Sequence, residues 1–331
     1  MDVLIVNSEE VKAILDMKSA IGVMEKAFTL YNDGGLIPSR SAMHIEQNKV
    51  LGVMPSYLNG LAKAGVKVNT VFSGNSGSRY HIHQGAVLVF EDTRGCLEAI
   101  VDAAEVTNVR TAAASALATG LLADGRASVL AIIGAGTQGG LHLEAMLTVR
   151  DIKRVNVWDL YPNISHDFSQ RASQKHNVEI KIASDVENAV KDADIICVST
   201  PSKQPVLLGD WVSAGTHINS VGFSGPKGRE LDNTLIKKSR LYVDCKESIL
   251  HDCGDIIVPV SNGIINETNI LGDLRDLLTL KSEGRTSADD ITLYKSAGVS
   301  IQDLACANYI HEQARKRGMG TSVKICGHNI S

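Results

Sequence analysis

Residues 128–140 read SVLAIIGAGTQGG. A β-type run, Val129 to Ile133, leads into Gly134-x-Gly136-x-x-Gly139, and a helical pattern, LHLEAMLTV, follows. Each glycine has a physical reason to be there. Gly134 permits a tight turn, Gly136 removes the side chain that would block a pyrophosphate, and Gly139 lets the helix pack close to the strand. The helix N-terminus then offers free N–H groups and the positive end of its dipole to phosphate. Three glycines alone are weak evidence, since a Gly-rich turn in a nucleotide-free sheet has the same spacing. Here a second strand, RVNVWD, ends in Asp159, twenty residues past Gly139, where a carboxylate would hold the ribose hydroxyls of a dinucleotide. Its charge would repel a 2′-phosphate, and the following Leu160-Tyr161-Pro162 supplies no arginine to neutralise one, so NAD(H) is expected over NADP(H). The plain alternative for Asp159 is a strand-end turn residue.

Outward from this loop, strand-like and helical runs alternate. SVLAIIG, RVNVWD, VEIKIAS, DIICVST, HINSVG and RLYVDC are the strand candidates, and such alternation predicts a doubly wound parallel sheet of the Rossmann type, in an α/β protein. The first part of the chain has a different texture. MDVLIV reads as a strand, Ser8 as the cap of a first helix with a face at Val11, Ile14 and Leu15, and a second helix stops at Asn32-Asp33-Gly34-Gly35. From Ser41 to Glu91 short β-type runs broken by Gly, Asn and Ser predict a largely antiparallel sheet. Asp102 with Glu105 reads as a capping box opening an Ala-rich helix, which ends at Ala-Asp-Gly-Arg, 123–126. A last helix is expected from about Gly298 to Lys316, with apolar residues at Ile301, Leu304, Ala305 and Tyr309.

Bulk composition bounds the function. The chain has 331 residues, enough for two domains, and is 44% hydrophobic and 21% charged. The formal charge of −4, from 33 basic and 37 acidic residues, argues against a nucleic-acid or anionic-membrane surface. No apolar run is long enough to cross a bilayer, and the N-terminus does not read as a signal peptide. The six cysteines lack C-x-x-C spacing, and reduced, buried thiols in a cytoplasmic protein are the natural account. No metal is expected. Cys245, His251 and Cys253 lack a matching ligand pair, and His81 with His83 reads more simply as satisfied or surface histidines.

Three cations before the glycine loop stand in unusual settings. Arg40 follows a stiffening proline in LIPSRSAMH, Lys67 is flanked by Val66 and Val68, and Arg110 lies among Val106, Val109 and Ala113 of the Ala-rich helix. Converging, they would make a carboxylate site, and a lysine in a dry site could pass protons. The plain alternatives are an outward-pointing Lys67 and a helix-surface Arg110.

With these segments in hand, the chain resembles the ornithine cyclodeaminase/mu-crystallin family. The resemblance rests on LGVMPSY, AGVKVN, HQGAVLVFEDTRGCLEAIVD, VRTAAASALAT, GAGTQG, VGFSGPKGREL and GRTSADDITLYKSAGVSIQDLA, which together run over nearly all of the chain. It implies a homodimeric, two-domain protein. Residues 1–124 and 300–331 would form a substrate-binding and dimerisation domain, and 125–299 the dinucleotide-binding domain. Matching positions put Arg40, Lys67 and Arg110 on the substrate carboxylate, with Met54 and His83 beside them, and make Lys67 the proton-handling candidate. They put Thr137, Gln138, Gly222, Thr200 and Ser296, with the glycines, on the cofactor.

Two departures from the family's cyclodeaminases choose the branch. Those enzymes carry an aspartate where this chain has Ser224, in the bend VGFSGPKGREL, and a glutamate where it has Gly52. Ornithine brings a distal ammonium, and burying it without an acid costs several kcal/mol. The expectation is therefore an NADH-linked oxidoreductase interconverting an α-imino acid and an α-amino acid, such as a cyclic imino acid, with Lys67 or a water held by Ser224 handling the proton. Ornithine cyclodeaminase is the alternative enzyme, and a non-catalytic binding protein of the mu-crystallin type the alternative class. Ser224 itself stays open between a substrate-facing hydroxyl and a turn residue. An acid such as Glu230 reaching the substrate would overturn this reading.

Overall fold

The computed structural model describes residues 2–325 apart from Ser76, Ser224 and Lys227. The chain begins with β1 (Asp2–Val6), α1 (Ser8–Ile14), α2 (Met17–Asn32), β2 (Ser41–Glu46), β3 (Lys49–Leu58), β4 (Lys63–Phe72), β5 (His83–Glu91), β6 (Leu97–Asp102) and α3 (Ala103–Leu122). It continues with β7 (Val129–Ile133), α4 (Thr137–Val149), β8 (Arg154–Trp158), α5 (Pro162–Lys175), β9 (Glu179–Ile182), α6 (Val186–Val190), β10 (Ile195–Val198) and β11 (His217–Ser220). Then come α7 (Asn233–Lys238), β12 (Arg240–Val243), α8 (Lys246–Asp252), α9 (Gly254–Ser261), β13 (Ile270–Asp273), α10 (Leu274–Leu278) and β14 (Thr292–Lys295), and last α11 (Ser300–Arg317) and β15 (Thr321–Lys324).

Two compact units result, one of 1–110 with 299–331, the other of 111–298. The cut falls inside α3, between Arg110 and Thr111, whereas composition pointed to the end of that helix. A sequence break marks where a helix stops; a helix shared by two units carries no such mark.

In the first unit seven strands run in the order β15-β1-β6-β5-β4-β3-β2. All neighbours are antiparallel except β1 and β6. β6 alternates buried and half-buried along LEAIVD, as expected of a strand with one face on a core. α11 packs on α2 and across β3, β4 and β5, so the end of the chain completes the unit that the beginning started. Gly65 makes that approach possible, because a Cβ there would lie 2.6 Å from Leu304 Cδ1. Ser8 is not the cap of α1. Asn7 is, accepting from Glu9 and Glu10 N–H while Glu10 reaches back to the Asn7 N–H. Either side chain could cap, and the reciprocal Glu at the third helical position selects Asn7.

The second unit is a parallel sheet of eight strands, β13-β12-β14-β11-β10-β7-β8-β9. Helix-covered parallel strands are buried on both faces and read as short continuous runs. Every residue of β10, β11 and β14 is buried. The order reverses between β7 and β10, the switch point at which open α/β sheets bind ligands outside the carboxyl ends of their strands. Among the described residues no helix is long and apolar enough to cross a membrane.

Candidate functional site

In the first unit, β4 alternation sends Lys67 to the buried face, between half-buried Val66 and Val68. Lys67 is only 5% exposed, and so is Arg110 on α3, so neither is the surface charge that the plain alternatives required. The two meet at a residue that the sequence reading overlooked. Asp303, fully buried in the first turn of α11, receives Lys67 Nζ at 3.0 Å and Arg110 Nε at 3.3 Å on the same oxygen, Oδ1. Lys67 also donates to Thr107 Oγ1 at 2.6 Å, and Arg110 Nη1 to Gln302 Oε1 at 2.8 Å. Asp303 Oδ2 and Gln302 Nε2 are buried with no hydrogen-bond partner among the described residues, an acceptor and a donor in that order for a water or ligand to complete.

Electrostatics follow from this geometry. Burial pushes the Lys67 ammonium down, Asp303 resists, Arg110 and Arg40 add repulsion, and the pKa falls to about 8. Burial alone would raise the Asp303 carboxyl, but Lys67 and Arg110 more than offset it and hold it below the ordinary range. Half-buried Arg40 is thus close enough to act on Lys67. His83, at the start of β5, is exposed as a residue, yet burial of its ring, then Lys67 and Arg110, push its pKa down. Met54 stands opposite Lys67 in the β3–β4 register. Gly52 pairs with Asn69, and a Cβ there would lie 3.3 Å from Asn69 Oδ1, so a side chain at 52 requires that amide to give by a few tenths of an ångström.

In the second unit the expected cofactor residues lie at the carboxyl ends of adjacent strands. Gly134 and Gly136 follow β7, Thr200 follows β10, Gly222 follows β11, and Ser296 follows β14. Gly134 has φ +95°, and a Cβ there would be 2.7 Å from Ser199 O, so only glycine fits against the next strand's end. A Cβ at Gly139 would be 2.3 Å from Gly134 O, which is the close strand–helix contact expected of the third glycine. Around Gly136 no atom comes within 4 Å of that position, and α4 starts there with no side chain capping it, with Thr137 and Gln138 in its first turn. This is an open cradle of N–H groups, and it fits a pyrophosphate. Asp159 accepts from Ala135 N at 2.8 Å and Tyr161 N at 3.0 Å, which fixes its carboxylate against the glycine loop.

Buried acids brace these strand ends. Glu230, fully buried, accepts from Thr200 N (2.7 Å) and Oγ1 (3.0 Å), Ser220 Oγ (2.9 Å) and Gly222 N (2.7 Å). Lys295 Nζ lies 3.4 Å from Glu230 Oε2 and 2.9 Å from Asp255 Oδ2, and these acids raise its pKa against the penalty of burial. Asp244 Oδ2 accepts from Ser296 Oγ, Ala297 N and Gly298 N. Glu230 is thus bound on both oxygens within its own unit. Ser224 lies outside the described residues. Among the described residues no group of three or more His, Cys, Asp or Glu is arranged to hold a metal.

The chain is similar in sequence and fold to known proteins. The model of the ornithine cyclodeaminase/mu-crystallin family matches residues 1–318. The Δ(1)-pyrroline-2-carboxylate reductase of Paracoccus denitrificans is 36% identical over 281 residues, 84% of this chain and 88% of that protein. The structure of the Thermococcus litoralis Δ(1)-pyrroline-2-carboxylate reductase in complex with NADH and L-proline superposes with a TM-score of 0.94 at 35% identity, over 97% of this chain and all of that one. An archaeal alanine dehydrogenase dimer with bound NAD gives 0.93 at 31% identity, over 98% and 100%.

Proposed function

The chain belongs to the ornithine cyclodeaminase/mu-crystallin family, and from that premise we propose that it is an NAD(H)-dependent oxidoreductase acting on the C=N/C–N bond of an α-imino or α-amino acid. The favoured substrate is a cyclic imino acid, in keeping with the Paracoccus and Thermococcus reductases. The observation that carries this reading is the charge of the first unit's cluster, where Lys67 and Arg110 share one carboxylate, Asp303, and Arg40 acts on Lys67. That balance suits an anion and disfavours a diamine.

Arg110 and Arg40 bind the substrate carboxylate, arginine by its two-pronged donor geometry, and Lys67 adds a third cation. Holding the carboxylate fixes where the C=N carbon lies. Gly134, Gly136 and Gly139, with the first turn of α4, hold the cofactor's pyrophosphate, and Asp159 its ribose; Thr200, Gly222 and Ser296 line its other end. NAD(H) bound there supplies a hydride to the imine carbon or takes one from the amino acid. Lys67, with a pKa of about 8, gives the imine nitrogen its proton near neutral pH and recovers it in the reverse direction. A serine at 224 brings no charge where the cyclodeaminases carry an aspartate, so the proton is assigned to Lys67. Glu230, bound on both oxygens, supports the absence of a second acid for ornithine.

NADH is preferred over NADPH on the argument from Asp159. The protein is a homodimer, a reading that the archaeal alanine dehydrogenase dimer supports. It works in the cytoplasm, where the described cysteines, all free and mostly buried, stay reduced.

The test is NADH consumption with Δ1-pyrroline-2-carboxylate and Δ1-piperideine-2-carboxylate, beside pyruvate with ammonia. Net oxidation of NADH with a cyclic imino acid is the expected result. Proline and ammonia from ornithine without net change in NADH would replace this reading with cyclodeaminase, and no turnover over a wide panel would replace it with a binding protein.

A further inference from the structure

We propose that Asp303 is the positioning residue of the substrate-carboxylate site: from the first turn of α11 its one oxygen holds the Lys67 ammonium and the Arg110 guanidinium together, so that their remaining donors face a single anion whose charge completes the cluster. This rests on the reading of Lys67 and Arg110 as carboxylate ligands, and gives that site a part nothing else assigns.

The geometry is specific. Of the three N–H groups on Lys67, one goes to Thr107 and one to Asp303. Of the five on Arg110, Nε goes to Asp303 and one Nη1 hydrogen to Gln302. Among the described residues, donors on both cations are left for a ligand, and their directions are set by the two that are fixed. Gln302 is held in turn, since its Oε1 also accepts from Val299 N at 3.2 Å. The start of α11 is tied to β3 by Ser300 Oγ donating to Pro55 O at 2.7 Å, and Gly65, two residues before Lys67 on β4, lets the helix approach. Asp303 therefore stands on a braced helix start, and the helix N-terminus itself favours a carboxylate there.

The charged and titratable groups acting on Lys67 are Asp303 from α11, Arg110 from α3 and Arg40 ahead of β2, while His83 at the start of β5 responds to Lys67 in turn. Asp303 is the one that holds the ammonium charged against burial and two arginines. Without it the lysine loses its proton at lower pH, and the site loses a cation when a carboxylate arrives.

Pyrrole-2-carboxylate, a flat carboxylate with no reducible C=N bond, is the probe, titrated into the protein saturated with NADH between pH 6 and 9.5. For the unaltered protein, affinity should be flat at low pH and decline above about 8. Asp303→Asn should move that bend down by one pH unit or more and weaken the probe at pH 8 by about fivefold or more, with NADH affinity changed less than threefold. Asp303→Glu keeps the charge and moves it by one methylene, so it should leave the bend in place and raise KM for the imino acid. That variant decides the matter should the asparagine variant not fold: an unchanged KM overturns the proposal. A bend that Asp303→Asn leaves unmoved overturns the proposal alone. An unaltered protein that binds no carboxylate at any pH overturns the functional reading as well, which keeps the two failures apart.

Discussion

Replacing Asp159 by serine should turn the cofactor preference around, and the size of the change follows from the site. The carboxylate is half-buried and accepts from the backbone N–H of Ala135 and of Tyr161, one on each oxygen. A carboxylate offers about four acceptor directions, so two remain for ribose hydroxyls. Hydrogen bonds to a charged group contribute about 1.5–3 kcal/mol each in net terms, so losing the carboxylate should lower kcat/KM for NADH by about 30-fold if one such bond is made. For NADPH the change has the other sign. Unit charges 4 Å apart at an effective dielectric constant near 20 repel by about 4 kcal/mol. Asp159 is partly solvated, and about half of that is a fair figure for what the serine removes. Together the two effects move the NADPH-to-NADH ratio of kcat/KM by about 4 kcal/mol, or roughly a thousandfold. Leu160 and Tyr161, 70% and 64% exposed, offer a 2′-phosphate no cation, so the variant should accept NADPH without binding it tightly. Steady-state kinetics with both cofactors at fixed imino acid measure the ratio. If Asp159 only braces the glycine loop through its two backbone bonds, both cofactors lose affinity together, and a ratio changed by less than about tenfold would refute the reasoning.

Other consequences are as direct. Lys295→Met removes the cation between Glu230 and Asp255 and leaves two buried acids facing each other; breaking a buried pair costs about 3–5 kcal/mol, so Tm should fall by roughly 10 °C in a calorimetric scan. Gly139→Ala forces a Cβ to within 2.3 Å of Gly134 O and should weaken NADH binding by about tenfold or more, whereas Gly140→Ala, with nothing within 4 Å, should leave the fluorescence titration unchanged. Burial pushes His142 down to about 4 and His217 to about 3, so the native state keeps both neutral where the unfolded chain protonates them. Stability is therefore lost as pH falls from about 6.5 towards those values, by up to about 1.4 kcal/mol per pH unit for each histidine. Urea midpoints at pH 7 and pH 5 measure the loss, and His142→Gln should make it smaller.

The glycine loop was legible because each requirement on it is local: a turn at Gly134, an open approach at Gly136, a tight contact at Gly139. Lys67 and Arg110 stood out as cations among apolar neighbours, and both are buried. What joins them was not legible, because Asp303 is 236 residues from Lys67 and pairing over that separation leaves no local mark. A signal was present all the same. Asp303, Ala307, Ile310 and Ala314 form a buried stripe at helical spacing, and a carboxylate on such a stripe demands partners. β14 was missed for a related reason. TLYK is short and carries a lysine, and only the burial of Lys295 between Glu230 and Asp255 makes it a central strand. The discontinuous first unit could be inferred from resemblance but not from pattern, since nothing in α11 names the sheet it covers.

The buried acids also bear on what the protein can hold. An isolated carboxylate in a dry interior is too costly to persist, so each one must already be matched by donors or cations. Glu230 has four hydrogen-bond donors and Lys295, Asp244 has three donors on one oxygen, and Asp303 has two cations. Each match fixes a piece of the candidate sites: Thr200 and Gly222, the turn after β14, and the pair Lys67 and Arg110. An incoming ammonium could recruit Glu230 or Asp244 only by breaking these bonds and loosening the segments expected to carry the cofactor. An ammonium at the unpartnered Oδ2 of Asp303 would meet the like charges of Lys67 and Arg110, both held on Oδ1. A monoanionic amino or imino acid asks for neither. The acids that keep the fold together thus bear on the proposed substrate class: Glu230 and Asp244 are already engaged by donors of their own unit, and Asp303 stands in a cluster whose two cations outweigh its charge, which favours an anion over a diamine.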